Sequence, residues 1–393
     1  MRLTAIDGLR GIFLSFMLII HANETLNTVF GKLNHHYFGW VEDAQGFVFM
    51  SGLVVGLVYG GRMLKSGYNA MRLSIWARIR IIYLHQVFLI IVFLLVSLMI
   101  ASVGLQVPHF LLPYVAQPIL FTVLSLLLLT GSLHMGILPM YIFFMMLVPR
   151  ALRMLEERKY ITYICIALAI WAITQTGLID LVVATEEIVL EAQGHTLNMG
   201  IFFNIFGWQV LFFGGLLIGF LMASKRLKTE FLYTAEMRNI FFVCVALFLF
   251  YGVYDRIVFD NWLGENFSKT IKATTDRGNF SVIYFVTFIA DLFIVVWLLG
   301  PGQTDPSKLV KLIATTLNRV VTFKPLVFLG QHSLHVFTAH VLLVYGLHFL
   351  HGGKPLGEVL GTMLILLCLG VLYGVAWLHA KFTERSISAR SSV

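Results

Sequence analysis

The sequence predicts an all-α integral membrane protein, a bundle of about ten transmembrane helices. Hydrophobic residues fill 59% of the 393 positions and charged residues only 12%, about half the roughly 25% typical of soluble domains. Long Leu-, Ile- and Phe-rich stretches are separated by short charged segments, which favours helices over the alternating pattern of a β-barrel. We therefore expect the lipid bilayer to surround a single transmembrane domain that covers residues 1–393.

Ten apolar stretches are long enough to cross a bilayer. They are centred in residues 9–24, 44–64, 80–104, 135–152, 160–179, 203–223, 238–254, 281–300, 326–350 and 357–380. An eleventh stretch, 117–132, is shorter than the roughly 20 residues that a spanning helix needs. We expect it to form a re-entrant or interfacial helix.

The distribution of basic residues gives the predicted orientation. If 117–132 does not cross and the N-terminus is cytoplasmic, 21 of the 28 Lys and Arg residues fall in inner segments and 6 in outer ones. If 117–132 crosses, the split becomes 11 inside and 16 outside. The positive-inside rule favours the first arrangement, with both termini cytoplasmic. The excess of basic residues is therefore a topology signal, and we expect no nucleic-acid partner.

The cysteines and the N-terminus add two exclusions. Cys165, Cys244 and Cys368 all fall in apolar segments, without a disulfide framework or a metal-ligand spacing. We therefore expect no metal. Asp7 and Arg10 interrupt the first apolar stretch, so we predict an uncleaved first span rather than a signal peptide.

The first span, DGLRGIFLSFMLIIH, carries ionisable residues where lipid would favour none. Arg10 and His21 are eleven positions apart, which returns nearly to the same helix face, and Met17 lies on that face between them. The axial separation is about 16 Å. Ionisable groups at such depths usually face a bundle interior or a water-filled cavity. The alternatives are an arginine that snorkels to the headgroups and a structural histidine.

Two sets of motifs carry a resemblance to a known family. The Arg-x10-His spacing, followed by DAQGFVFMSGLVVGLVYG (43–60), resembles the membrane-bound acyltransferase-3 superfamily, and RIRIIYLH (78–85) resembles the basic-then-Tyr element of its third span. Within it, the chain resembles the OpgC-type branch in TAIDGLRG (4–11), HMGILPMYIFFMMLVPRAL (134–152), FNIFGWQVLFFGGLLIG (203–219) and LGQHSLHVFTAHVLL (329–343). Many superfamily members have a Trp-Ser-Leu segment that ends in Glu where this chain has SLHMGILPMY. That departure favours the OpgC-type branch, with His134 in this region.

The resemblance implies a multi-pass acyltransferase of the bacterial inner membrane. Its donor would be cytoplasmic acyl-CoA, with succinyl-CoA as the expected co-substrate. Its acceptor would be a hydroxyl group of an osmoregulated periplasmic glucan. The acyl group, the acceptor and the oligomeric state stay open on the sequence alone.

The donor's phosphates need cations at the inner face, and arginine forks suit phosphate oxygens. We expect Arg10, Arg78 and Arg80 to hold them, with Tyr83 and His85 nearby on the third span. Ordinary positive-inside charge explains the other basic residues of the inner segment, namely Arg62, Lys65 and Arg72.

A sugar hydroxyl needs a general base, and histidine is the usual one. We predict His21 as base or transient acyl carrier, with Asp43, His134 and His340 as further catalytic candidates. A carboxylate such as Asp43 could orient His21 and stabilise its imidazolium. Asp43 as a helix N-cap and the two other histidines as helix-end caps are the alternatives.

Three residues are candidates for contact with the acceptor. Ser333 shares a predicted helix face with Phe337 and His340, and Trp208 and Gln209 begin the sixth span at its outer end. For Trp208, an aromatic-belt anchor is the alternative. The small-residue stretches GGLLIG (214–219) and GLVVG (52–56) are interpreted as helix interfaces.

Three rival functions stay open. The first is a secondary transporter with an intramembrane Arg/His/Asp path, although the sequence lacks the internal repeat common in such folds. The second is an O-acetyltransferase that acts on another cell-envelope glycan. The third is a passive glycan-binding or scaffold component.

Overall fold

The computed structural model describes residues 4–32, 42–178, 203–351 and 356–391. Every regular element within these ranges is helical, so the predicted all-α class is confirmed. The acidic outer segment at 180–199 lies outside the described residues.

Fifteen α-helices run through the described residues. They are α1 (Thr4–Leu26), α2 (Val29–Lys32), α3 (Asp43–Ser102), α4 (Leu112–Ala116), α5 (Pro118–Leu126), α6 (Ile137–Glu156), α7 (Tyr160–Thr174), α8 (Ile205–Ala223), α9 (Ala235–Phe259), α10 (Glu265–Thr274), α11 (Val282–Leu299), α12 (Lys308–Val321), α13 (Lys324–Gln331), α14 (Ser333–His351) and α15 (Glu358–Ser391). Short 3₁₀ segments lie at His109–Leu111, Leu133–Met135, Glu230–Tyr233 and Pro301–Thr304.

The helices have the lengths of a multi-pass membrane protein. Eight of the described helices are long and apolar enough to cross a bilayer, or ten if each of two bent helix pairs counts as one span. The predicted fold class, an all-α membrane bundle of about ten spans, is therefore confirmed. Helix α7, predicted to cross within 160–179, has 15 residues. It measures about 22 Å, which is less than the roughly 30 Å of a hydrocarbon core.

Helix α3 contains two of the predicted spans in one run of 60 residues. A straight helix of that length would measure about 90 Å, three times the bilayer core. Gly67 interrupts it with φ 83° and ψ 170°, a conformation that glycine adopts without a steric penalty. Arg62 Nη1 donates to Ser74 Oγ at 2.5 Å, although a straight helix would separate the two residues by about 18 Å. The chain therefore turns sharply at Gly67.

The stretch 117–132 forms no spanning helix. Its helical part is α5, nine residues long, or about 14 Å, and the preceding 109–116 segment meets α5 at 109°. Pro118 begins α5 and favours the bend because proline cannot continue a helix from the preceding turn. This geometry agrees with the expected re-entrant or interfacial helix.

Two compact units divide the chain. The first unit comprises Met1–Met50, Lys228–Thr275 and Val282–Val393, and the second comprises Ser51–Leu227 and Asp276–Ser281. The first unit therefore contains α1, α2, the beginning of α3 and helices α9 to α15. The second contains the rest of α3 and helices α4 to α8.

In the first unit, α13 packs on the N-terminal half of α1 with the two backbones almost touching. A Cβ atom added at Gly8 would collide with the carbonyl of Val321, and one added at Gly11 with the carbonyl of Leu326. Gly330, at the other end of α13, meets Asp7 in the same way. The end of α12 and both ends of α13 lie at the start of α1, and Asp305, just before α12, is bound by Arg238 at the start of α9. Since the starts of α1 and α9 are both on the predicted cytoplasmic side, we interpret the bent pair α12–α13 as a segment that returns to that side rather than a broken span.

The predicted span 326–350 is divided at His332, which has φ −107° and ψ 24° between α13 and α14. The break falls at the polar run GQHS (330–333), which the apolar residues on both sides outweighed in the predicted span. Helix α14 alone forms the crossing part, and its first residue is Ser333.

In the second unit, α3 and α8 meet along a glycine seam. A Cβ at Gly52 would collide with the carbonyl of Phe212, one at Gly56 with that of Leu216, and one at Gly219 with that of Leu53. Small residues permit such close helix approach in membranes. The interpretation of 52–56 and 214–219 as helix interfaces is confirmed.

Candidate functional site

The N-terminal end of α1 carries an arginine that bonds to α14. Arg10 Nη2 donates to Ser333 Oγ, and its Nη1 lies 3.9 Å from the Asp7 carboxylate. The two charged side chains are only 13% and 17% exposed, so Arg10 is held within the protein rather than extended into the headgroups. A guanidinium has five N–H donors. Arg10 therefore can bind a phosphate group while Ser333 holds its orientation. Ser333, a candidate for acceptor contact on the sequence, lies at the Arg10 end of the pair instead.

Two histidines meet at the other end of the same helix pair. The ring centroids of His21 on α1 and His340 on α14 are 5.5 Å apart. His21 Nδ1 lies 3.2 Å from Glu24 Oε1, one turn further along α1. The His21 side chain is 28% exposed, whereas His340 is 1% exposed. This group combines an accessible imidazole with a carboxylate partner, as a general base requires.

An apolar segment separates the two polar ends. Met17 of α1 and Phe337 of α14 are both buried on the facing stripes. Phe337 lies 5.6 Å from the ring of His340 and 6.2 Å from that of Phe47. The structure thus brings together the stripe of α1 and the predicted face Ser333, Phe337 and His340 of α14. The result is a cation at one end of the pair and an imidazole group at the other.

Asp43 lies at the start of α3, where it is 2% exposed. The preceding residue occupies the capping position, because the backbone N–H of Glu42 bonds Gln45 Oε1 at 3.3 Å. The carboxylate that the structure places against His21 is Glu24. Sequence reasoning missed Glu24, although its spacing of three residues from His21 on one helix was a usable signal.

The second unit has its own basic group at the turn of α3. Arg62 bonds Ser74, and Arg153 lies over the ring of Tyr68 at 5.1 Å. Arg78 is half-buried and, like Arg62, lies within electrostatic range of the Tyr59 hydroxyl. Arg80, two residues later, is exposed, because a two-residue step reaches the opposite side of a helix. The structure therefore groups Arg78 with Arg62 and separates it from Arg80.

The other candidates in α3 and α6 take separate positions in this unit. The Tyr83 hydroxyl donates to the carbonyl of Leu126 at 3.0 Å, which ties α3 to the end of α5. His85 is half-buried on α3. His134 is buried in the 3₁₀ turn that precedes α6.

Trp208 and Gln209 are buried structural residues of α8. The Trp208 indole is 0% exposed, packs 4.3 Å from the ring of Phe203, and donates to the carbonyls of Arg277 and Gly278 at 3.2 and 3.0 Å. Gln209 Nε2 donates to the carbonyl of Ala167 at 2.6 Å. Both residues hold neighbouring segments of the second unit in place.

A histidine cluster near Ser333 was also missed by sequence reasoning. His332 Nδ1 lies 2.7 Å from His379 Nδ1, and the ring of His335 stacks on that of His379 with centroids 3.6 Å apart. His379 lies 47 positions after His332. No local pattern predicts a contact at that separation.

The comparisons with known proteins give one family. The family described as OpgC protein matches residues 2–384 of the chain. No curated protein and no solved structure matches it.

Proposed function

The chain belongs to the OpgC family, and on that premise we propose that it transfers a succinyl group from cytoplasmic succinyl-CoA to hydroxyls of periplasmic glucans. Family membership supports an OpgC-like function in glucan modification by an acyltransferase-type enzyme. The identity of the donor, the acyl group and the acceptor, the place in the acyltransferase-3 superfamily and the location in a bacterial inner membrane are part of the proposal.

The observation that carries the proposal is the double contact between α1 and α14. Arg10 bonds Ser333 at one end, and His21 lies against His340 at the other. Eleven residues of helix separate the two groups on α1, about 16 Å. In the predicted orientation, the arginine is on the cytoplasmic side and the histidines are toward the periplasm. The pantetheine arm of the donor would bridge this distance.

At the cytoplasmic end, Arg10 would bind a phosphate of the donor. Ser333 and Asp7 fix the guanidinium before the donor arrives, so less conformational entropy is lost on binding. In the second unit, Arg62 and Arg78 form a positive group of their own, which would attract polyanionic nucleotides. Arg80, being exposed, would contribute to this attraction rather than to a fixed contact.

At the outer end, His21 would act as the general base. With Nδ1–H donating to Glu24, the proton-accepting nitrogen is Nε2. It takes the proton of the acceptor hydroxyl as that oxygen attacks the thioester carbonyl. The C–O bond forms, the C–S bond breaks, and the proton passes from His21 to the departing thiolate of CoA. Glu24 stabilises the imidazolium between these steps.

His340 and Asp43 complete the proposed catalytic set of the first unit in lesser roles, and His134 is a separate candidate in the second unit. His340 is buried beside His21 and would keep its ring in position. Asp43 and His134 are buried polar residues. In the predicted topology, both residues lie toward the outer side, where the acceptor would bind.

The test is acyl transfer by the purified protein. Wild-type protein, His21→Ala and the control His109→Ala are incubated with succinyl-CoA and a glucan oligosaccharide, and products are weighed by mass spectrometry. With the wild type and the control, we expect the oligosaccharide to gain the mass of a succinyl group. With His21→Ala, we expect its mass to stay unchanged. Transfer from acetyl-CoA alone would favour the O-acetyltransferase. If the protein, reconstituted into vesicles, took up a solute without any acyl transfer, the transporter would be favoured.

A further inference from the structure

Helix α12 has three distinct faces. Val310, Ala314 and Val321 form a buried face. Leu309, Ile313 and Val320 form an exposed apolar face, 65%, 47% and 44% exposed. The third face is polar and carries Lys308, Lys311 and Arg319, all exposed. At 100° per residue, each set falls within a sector of about 80° or less.

The buried face anchors α12 firmly in the first unit. Val310 and Ala314 pack in one apolar cluster with Phe241 of α9 and Trp297 of α11. Asp305, just before the helix, is bound by Arg238 of α9 at 2.7 Å. The orientation of the other two faces is therefore fixed by the protein.

The position of α12 places it at a membrane surface. Val321, its last residue, lies against Gly8 at the start of α1, and α13 returns to Asp7. The helix therefore stays at the end of α1 that the charge distribution assigns to the cytoplasm. An apolar stripe beside a basic stripe is the pattern of a helix that lies in the plane of the interface.

The charge of this segment is of one sign. From Lys308 to Lys324 the chain contains four basic residues and no acid. The exposed helix α10 provides a contrast, because its Lys269 faces Glu265 at 3.7 Å. A basic stripe without acids complements the anionic headgroups of an inner leaflet.

From these features we propose that α12 is a binding surface for anionic phospholipids of the cytoplasmic leaflet. Lys308, Lys311 and Arg319 bind the headgroup phosphates, while Leu309, Ile313 and Val320 contact the acyl chains. Because α12 leads directly into α13, which packs beside Arg10 on α1, bound lipid would stabilise the part of the first unit that holds the donor's arginine. This inference concerns lipid binding and does not depend on the acyl group or the acceptor.

The test uses the full-length protein in nanodiscs of phosphatidylcholine with or without phosphatidylglycerol. We expect phosphatidylglycerol to raise the melting temperature of the wild type. The double variant K308Q/K311Q should keep roughly a third of that rise, since two of the three cations of the stripe are gone. The matched control K269Q/K272Q, with the same i, i+3 spacing on an exposed helix, should keep the full rise.

A second variant protects the test against misfolding of the first. Thr315 lies in the basic stripe, so Thr315→Lys should increase the effect of phosphatidylglycerol and the amount of this lipid retained in native mass spectrometry. The proposal is overturned if K308Q/K311Q responds like the wild type, or if the wild type shows no rise. An equal rise with inorganic phosphate in phosphatidylcholine nanodiscs would also overturn it, because free phosphate would then explain the effect.

Discussion

Two helix pairs in this protein pack closely for different physical reasons. In the first unit, α1 and α14 face each other with ionisable and polar side chains at both ends, Arg10 against Ser333 and His21 against His340. In the second unit, α3 and α8 meet through glycines whose missing side chains let the backbones touch. Ionisable groups inside a membrane are costly and mark functional sites, whereas glycines at a helix interface allow close packing. The comparison therefore distinguishes residues that are proposed to take part in the reaction from residues that stabilise the fold.

The largest expected effect is on catalysis at the α1–α14 pair. His21→Ala removes the proposed base, and general-base catalysis contributes about 10²–10⁴-fold to a rate. The transfer rate should fall by that factor while the melting temperature stays near that of the wild type, since His21 is partly exposed. Full activity in a folded His21→Ala protein would show that the α1–α14 pair, like the α3–α8 pair, serves packing and not the reaction.

The glycine seam should respond in the opposite way. Gly219→Ala places a Cβ against the carbonyl of Leu53, and overpacking of this kind costs about 1–3 kcal/mol. We expect a lower melting temperature with unchanged kcat per folded molecule. The matched control Gly374→Ala on α15 meets no neighbouring atom. It should be neutral or slightly stabilising, because alanine is the better helix former.

A smaller effect should follow when the support of Arg10 is removed. Ser333→Ala deletes the hydroxyl that accepts from the guanidinium, a charged hydrogen bond worth about 1.5–3 kcal/mol at most. Because Arg10 is left in place, we expect the KM for succinyl-CoA to rise roughly tenfold, with kcat changed much less. A fall in kcat at constant KM would place Ser333 in the chemical step instead.

The smallest effect concerns a polar contact with a structural role only. The hydrogen bond that Arg238 donates lowers the pKa of the Asp305 carboxyl group. Burial raises this pKa, and the hydrogen bond from the backbone N–H of Ser307 lowers it further. The stabilisation is therefore complete above the unfolded pKa of about 3.9 and is lost as the pH falls through the lower folded value. At pH 6, the Asp305→Asn protein should melt at a lower temperature than the wild type. On acidification, its melting temperature should fall less than that of the wild type. The rate of acyl transfer per folded molecule should not change. An equal fall in melting temperature on acidification in both proteins would show that Asp305 is not the source of this stabilisation.

The sequence predicts those features that follow from helical periodicity. The spacing of Arg10 from His21, and of Ser333 from His340, was sufficient to predict one polar face on each helix. The glycines of 52–56 and 214–219 predicted two helix interfaces, but not that they pack against each other. The family could be inferred from motifs in fixed order along the chain. For the faces and the interfaces, the signal lies within about one helix length, whereas the family signal extends over most of the chain.

Features that depend on distant segments or on single backbone choices were not predictable. The sequence predicted separate spans on either side of Gly67, but not that this one glycine would make the turn. It predicted one continuous span across His332, where the helix breaks. Trp208 was a candidate for acceptor contact, with an interfacial anchor as the alternative, because the sequence gives no sign that residues 277 and 278 accept its N–H. The contact between His332 and His379 requires the full path of α14 and α15.

The most direct test of the central claim is sidedness. Protein is reconstituted into vesicles with a glucan oligosaccharide trapped inside and succinyl-CoA added outside. Only molecules that present the Arg10 end outward can use the donor, and they should produce succinylated oligosaccharide in the lumen. His21→Ala should produce none, whereas His109→Ala should match the wild type. Product that forms only when the donor and the acceptor share one side of the membrane would contradict transfer along the α1–α14 pair.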